Sequence, residues 1–251
     1  MVNKAMSISA APLLASVIHC LVILAIGALP LTWRMQGRLY DALLSFGAGV
    51  LLSAAFLHML PAAIPDLGPS TGLFLLLGYL LMTLLERFTM AHPCGEEACP
   101  NHHIGLTAFF GLSVHSVISG MALGVGLLEA ADMHVSLALL AAILVHKVPE
   151  TLALMGLFAA SGWARKRIII FLVLYSIMGP IGILTGAGLG IKSPWLLSCA
   201  LAVSAGTFLY IASSDLLPQL HKKMKQEWIH FLAFLAGLAL LSFEAWHHLA
   251  G

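Results

Sequence analysis

The sequence predicts an all-α, polytopic membrane protein with eight transmembrane helices. Three observations carry that prediction. The 251 residues are 60% hydrophobic and only 9% charged, whereas a soluble domain carries about 25% charged residues. Apolar runs long enough to cross a bilayer recur along the chain, and its length, with short connections, holds about eight spans of roughly 20 residues. Two of these runs also repeat each other. Gly47–Pro61 reads GAGVLLSAAFLHMLP and Ser204–Pro218 reads SAGTFLYIASSDLLP, so Gly49 matches Gly206, His58 matches Asp215 and Pro61 matches Pro218 without a gap. By the span count these are spans two and seven, which cross the membrane in opposite directions. The result is an inverted repeat with the spans grouped 3+2+3.

The spans fall at about 8–29, 40–61, 70–91, 104–128, 133–160, 166–190, 194–217 and 227–248. The first follows Lys4 and could be mistaken for a secretory leader. It runs on past Pro12 and His19 to Leu29 without a clear cleavage site, so it reads as a retained span. Span two begins after the polar stretch ending at Arg38 and closes near Pro61, and Pro65 and Gly68-Pro69 separate it from span three. The polar run His92–His103 ends span three. Glu129–Asp132 divides spans four and five, Gly162–Arg167 five and six, Ile191–Pro194 six and seven, and His221–Gln226 seven and eight. Connections this short leave the chain, 1–251, as one transmembrane domain.

Orientation follows from Lys and Arg. The odd-numbered connections carry Arg34, Arg38, Arg87, Arg165, Lys166, Arg167, Lys222, Lys223 and Lys225, nine residues, against Lys4 and Lys192 on the opposite side. Both termini are therefore expected outside, with residues 92–103 in the cytoplasm, and the host membrane is read as the cell (inner) membrane. A net charge of +1 implies no nucleic-acid partner. The lipid bilayer is the implied partner, and a homodimer is compatible with the chain. Cys20, Cys94, Cys99 and Cys199 are too few and too scattered for a disulfide framework.

Spans four and five sit at the centre of the repeat and carry the costliest side chains. His115 and Ser119 are four residues apart, as are His146 and Glu150, so each pair shares a helix face. Taking His146 as the origin, Glu150 lies near 40° and Lys147 near 100° around a helix advancing about 100° per residue. Glu150 thus stands between an imidazole and an ammonium. On span four, Ser119 and Ser116 take the corresponding positions. Facing each other, the two spans would offer two imidazoles, a carboxylate and a hydroxyl, a set that suits a borderline divalent cation such as zinc. A structural polar network and a proton relay are the competing readings; two such faces on adjacent spans favour the metal. Pro149 also frees the carbonyl of Val145.

The chain resembles the ZIP (Zrt-, Irt-like protein) family of divalent-metal transporters. The resemblance rests on His-Ser-Val-Ile-Ser-Gly-Met-Ala-Leu-Gly at 115–124, His-Lys-Val-Pro-Glu at 146–150, Phe-Leu-His-Met-Leu-Pro at 56–61 and Gly-Thr-Phe-Leu-Tyr-Ile-Ala at 206–212. It implies eight helices, outward termini, metal uptake into the cytoplasm, and an elevator-like motion of spans one, four, five and six against the other four. Many members have Glu at the Ser119 position, bridging two metals, Asn at the Ser116 position and a metal ligand at the Lys147 position. Here the second position is dismantled, and Lys147 is expected to stand in for the second cation. One metal per site is therefore expected, held by His115, His146 and Glu150 with Ser119 as a weak fourth oxygen. Zn2+ is the expected substrate, with Cd2+, Fe2+ and Mn2+ as the other candidates.

Other polar residues extend the reading. His58 and Asp215, each three residues before a proline, read either as helix caps or as residues along the pathway. His19 and Glu86 read as interhelix hydrogen bonders. The 92–103 loop gathers His92, Cys94, Glu96, Glu97, Cys99, His102 and His103; Cys-x4-Cys flanked by histidines is plausible zinc spacing. The chain is not expected to be an enzyme. The alternative is an intramembrane metal-dependent hydrolase, which needs an activated water, but no His-Glu-x-x-His occurs and the repeat favours transport. A metal-sensing receptor without flux is weaker still.

Overall fold

The computed structural model describes residues 2–32, 37–90, 102–189 and 193–250. These are helical almost throughout: α1 (Val2–Thr32), α2 (Arg38–Ser53), α3 (Leu60–Leu67), α4 (Thr71–Met90), α5 (His102–Glu129), α6 (Met133–Ala160), α7 (Arg165–Leu189), α8 (Pro194–Tyr210), α9 (Leu217–Gln226) and α10 (Trp228–Ala250). Among the described residues, six helical runs are long and apolar enough to cross a membrane, and Trp228–Leu240 is a shorter apolar helix. With an apolar exterior that includes Leu73, Phe88, Leu189 and Trp228, the chain is an integral membrane protein.

The helix ends follow local chemistry. The Asp132 side chain accepts from the Val135 N–H and so caps α6 at its N-terminus. Ser193 does the same for α8, with Pro194 at the first helical position. Gly162, at φ +65°, turns the chain out of α6. The break expected between spans two and three is milder than a loop. Arg38–Phe88 is a single helical run of 51 residues, turned by Gly68 at φ +52° and the 3₁₀ turn Gly68–Ser70.

Neither repeat run ends its helix at the proline. A π-helical turn, Ala54–Met59, joins α2 to α3, and another, Ile211–Leu216, joins α8 to α9. The two turns begin and end at matched positions of the repeat. The cause is shared: Pro61 and Pro218 lack an N–H and crowd the carbonyl four residues back, and widening the preceding turn relieves the clash. His58 and Asp215 therefore lie inside π turns rather than at helix caps.

Glycines set the closest crossings. A Cβ at Gly120 or Gly124 of α5 would collide with the carbonyls of Gly179 and Ile183 on α7; one at Gly182 or Gly186 would strike those of Val117 and Met121. Gly49 and Gly237 play the same reciprocal part between α2 and α10, as do Gly78 and Gly206 between α4 and α8. Such contacts let backbones touch where lipid gives helices little hydrophobic reason to associate. The main apolar core joins α1, α2 and α5–α8 through residues such as Ile23, Leu51, Leu112, Leu154, Tyr175 and Phe208. The polar site is set into this core.

Candidate metal centre

The i, i+4 faces read from the sequence meet. His115 of α5 and His146 and Glu150 of α6 each bring one ligand atom within 4.8 Å of the others. His115 and Glu150 are 2% and 1% exposed and His146 9%, so the cluster is almost closed to solvent.

The hydrogen bonds around the two imidazoles fix how they could ligate. His146 Nδ1–H donates to the Ala142 carbonyl, one turn back, at 3.0 Å. Its Nε2 is left with a free lone pair. His115 Nδ1 lies 2.9 Å from the Ser204 hydroxyl of α8, and its Nε2 lies 3.3 Å from Glu150 Oε1 without completing a hydrogen bond. With Nδ1–H donating to Ser204, a lone pair and a carboxylate oxygen face each other, and a cation between them turns that repulsion into attraction. Two ligands held at about 2.0–2.1 Å in a tetrahedral shell are about 3.3–3.4 Å apart, the separation of this pair. The widest separation, up to 4.8 Å, would have to close by about 1.4 Å to fit the same shell.

Lys147 is fully buried, and its Nζ lies 2.7 Å from Glu150 Oε2. The carboxylate thus points one oxygen at an imidazole and the other at an ammonium. Ser119 Oγ donates to the Ser116 carbonyl at 3.2 Å, which leaves its oxygen lone pairs uncommitted. Ser116 is buried, and its Oγ makes no hydrogen bond.

The remaining sequence candidates are placed differently. The His58 ring is exposed and stands 5.7 Å, centroid to centroid, from that of His146, beside the cluster. Asp215 is away from it and accepts from Thr107 Oγ1 at 3.2 Å. His92, Cys94, Glu96, Glu97 and Cys99 lie outside the described residues, as do the side chains of His102 and His103 at the start of α5. His19, expected to bridge helices by hydrogen bonding, is buried against Gly179 with neither ring nitrogen partnered.

Sequence reasoning missed Ser204 and Phe208, whose ring lies 4.6 Å from that of His115. Both belong to the second repeat run. Their spacing of four residues, one helical turn, was the available signal that they share a face.

Residues 91–245 match the model of a protein family described as ZIP zinc transporter. The chain is 31% identical to zinc transporter ZIP9 of Micropogonias undulatus over 158 residues, 59% of this chain and 51% of that one. It is 28% identical to zinc transporter ZIPB of Bordetella bronchiseptica over 225 residues, 83% and 72% of the two chains. With human zinc transporter ZIP1 it shares 27% identity over 248 residues, 78% and 75%. The chain spans about half the length of the ZIP9 relatives it matches.

Proposed function

Because this chain belongs to the ZIP family of zinc transporters, we propose that it carries Zn2+ across the membrane into the cytoplasm, one ion at a time, through a site formed by His115, His146 and Glu150. The observation that carries this reading is the convergence of three buried ligand atoms within 4.8 Å between two mostly apolar helices. A buried carboxylate with two imidazoles and no all-oxygen shell favours zinc or cadmium, and to a lesser degree iron or manganese, over magnesium and calcium. Ser119 supplies a weak fourth oxygen. Lys147 keeps a positive charge beside the site, which leaves room for one divalent ion.

The transport frame is eight crossings in a 3+2+3 inverted repeat, with both termini outside and a single domain over residues 1–251. The matched π turns support it, as do the exchanged close crossings, α2 on α10 and α8 on α4. The excess of Lys and Arg on the odd-numbered connections supports the orientation. In this frame α1, α5, α6 and α7 move together against the rest. His58, beside His146, is the entry residue, and Asp215 lies on the exit side. Residues 92–103 act as a cytoplasmic metal-capture segment through His92, Cys94, Cys99, His102 and His103. The inner cell membrane is the proposed location, and a homodimer the proposed assembly. A hydrolase is disfavoured: among the described residues Glu150 is the one carboxylate at the site, and Lys147 engages it, leaving no second acid there to activate a water.

The test is uptake of a panel of divalent ions by the purified protein in liposomes. Zinc and cadmium should enter, and His115→Ala, His146→Ala and Glu150→Ala should each abolish uptake in folded protein. Normal uptake by His146→Ala would remove the site from the pathway.

A further inference from the structure

We propose that His19, Ser116 and Tyr175 form a second seat for the Lys147 ammonium, taken up when a divalent cation claims Glu150. The inference rests on the metal site proposed above and concerns what becomes of the resident cation when the metal arrives.

A lysine ammonium has three N–H donors. Glu150 Oε2 takes one, at 2.7 Å, and the group has no access to water outside the protein. Buried polar groups are nearly always satisfied, and a buried charge more stringently so. Idle acceptors lie on α1, α5 and α7, which pack against α6. Neither His19 ring nitrogen has a partner, so its one unprotonated nitrogen is an idle acceptor; Ser116 Oγ and the Tyr175 hydroxyl are likewise buried with no completed hydrogen bond. His19 lies within electrostatic reach of both Lys147 and Glu150. The Tyr175 hydroxyl faces Ser116 and Thr151, also within reach of Glu150. Thr151 has spent its own proton on the Lys147 carbonyl, at 2.7 Å. Surplus donors on α6 are thus matched by surplus acceptors on α1, α5 and α7, the helices packed against it.

The packing keeps the seat in place. The His19 ring rests where a Cβ of residue 179 would be, so Gly179 admits it. Lysine has a flexible four-carbon stem and a head that bonds in any direction, so it can swing from the carboxylate to these acceptors, directly or through one water. The need arises at loading. A dication and an ammonium sharing one carboxylate repel each other, and the metal binds well only if the ammonium has somewhere else to be solvated. On release the ammonium returns to Glu150, so the carboxylate is never left bare.

The experiment is a double-mutant cycle on the full chain in detergent, reading the zinc Kd by competition with a chromophoric chelator. His19→Leu removes the acceptor; Lys147→Met removes the ammonium. His19→Leu should weaken zinc binding about 10-fold, a typical coupling for groups in one network, and should have no effect in the Lys147→Met background. His19→Gln, which keeps an acceptor, should recover most of the loss. Equal losses in both backgrounds, or no loss in the Lys147 protein, overturn the seat. Should His19→Leu fail to fold, Tyr175→Phe, which removes a single oxygen, runs the same cycle: a loss confined to the Lys147 protein supports the seat, and equal or absent losses overturn it. Glu150→Gln separates the two ideas: zinc binding that survives it refutes the metal site itself, whatever the cycle shows.

Discussion

Replacing Ser204 by Ala removes one oxygen atom that touches no metal, yet it should weaken metal binding strongly. Ser204 Oγ is 2.9 Å from His115 Nδ1, and both residues are buried. In the metal-bound form His115 must keep its Nε2 lone pair for the ion, so its proton stays on Nδ1. Without the serine that N–H has no acceptor, and a buried unsatisfied donor costs about 1–3 kcal/mol. The empty form escapes most of this cost. Its imidazole can carry the proton on Nε2 and turn it towards Glu150 Oε1, now 3.3 Å away. The penalty therefore falls on binding, and at 1.4 kcal/mol per tenfold it amounts to about 5- to 150-fold in Kd. Loss of an outer partner to a metal-ligating histidine typically costs 10- to 100-fold. Chelator competition measures the Kd, and thermal unfolding of the metal-free protein should show an unchanged midpoint. Ser204→Thr should restore affinity. An unchanged Kd in Ser204→Ala would refute the assignment of tautomer and partner; a matching fall in metal-free stability would make Ser204 a packing residue.

Three further outcomes are expected. Ser119→Glu combined with Lys147→Asp should add a second bound metal, counted by elemental analysis of the purified protein, while neither change alone does so. Gly120→Val and Gly182→Val should drive α5 and α7 apart and abolish monodisperse protein on size exclusion, because each new side chain meets backbone carbonyl; Gly188→Val, with open space around it, should be tolerated. Replacing Cys94, Cys99, His102 and His103 together should leave liposome uptake measurable and weaken zinc binding by the isolated 92–103 peptide; complete loss of uptake would put these residues on the obligatory path.

What the sequence made legible was local. A polar pair at i, i+4 in an apolar run must share a face, so His115 with Ser119 and His146 with Glu150 could be read without coordinates. Lys147 and Glu150, three apart on one helix, were equally accessible and form the 2.7 Å pair. Contacts across the fold were not legible. Ser204 reaches His115 over 89 residues of chain, and in the small-residue run Ser-Ala-Gly-Thr it reads as a packing residue. His19 promised a hydrogen bond to another helix, because a buried imidazole usually has one; its unpartnered nitrogens become visible only when α7 is in place. Helix ends also misled. Pro61 and Pro218 read as terminators, but a π turn absorbs each, and the helices run on to Leu67 and Gln226.

The central claim is that one divalent ion sits between α5 and α6, held by His115, His146 and Glu150 with Lys147 excluding a second. Anomalous diffraction from crystals grown with cadmium, whose scattering locates each ion directly, tests it. One peak per chain, in bonding contact with His115 Nε2, His146 Nε2 and a Glu150 oxygen, is the predicted result. Two adjacent peaks bridged by Glu150, or a peak elsewhere with this cluster empty, would contradict it.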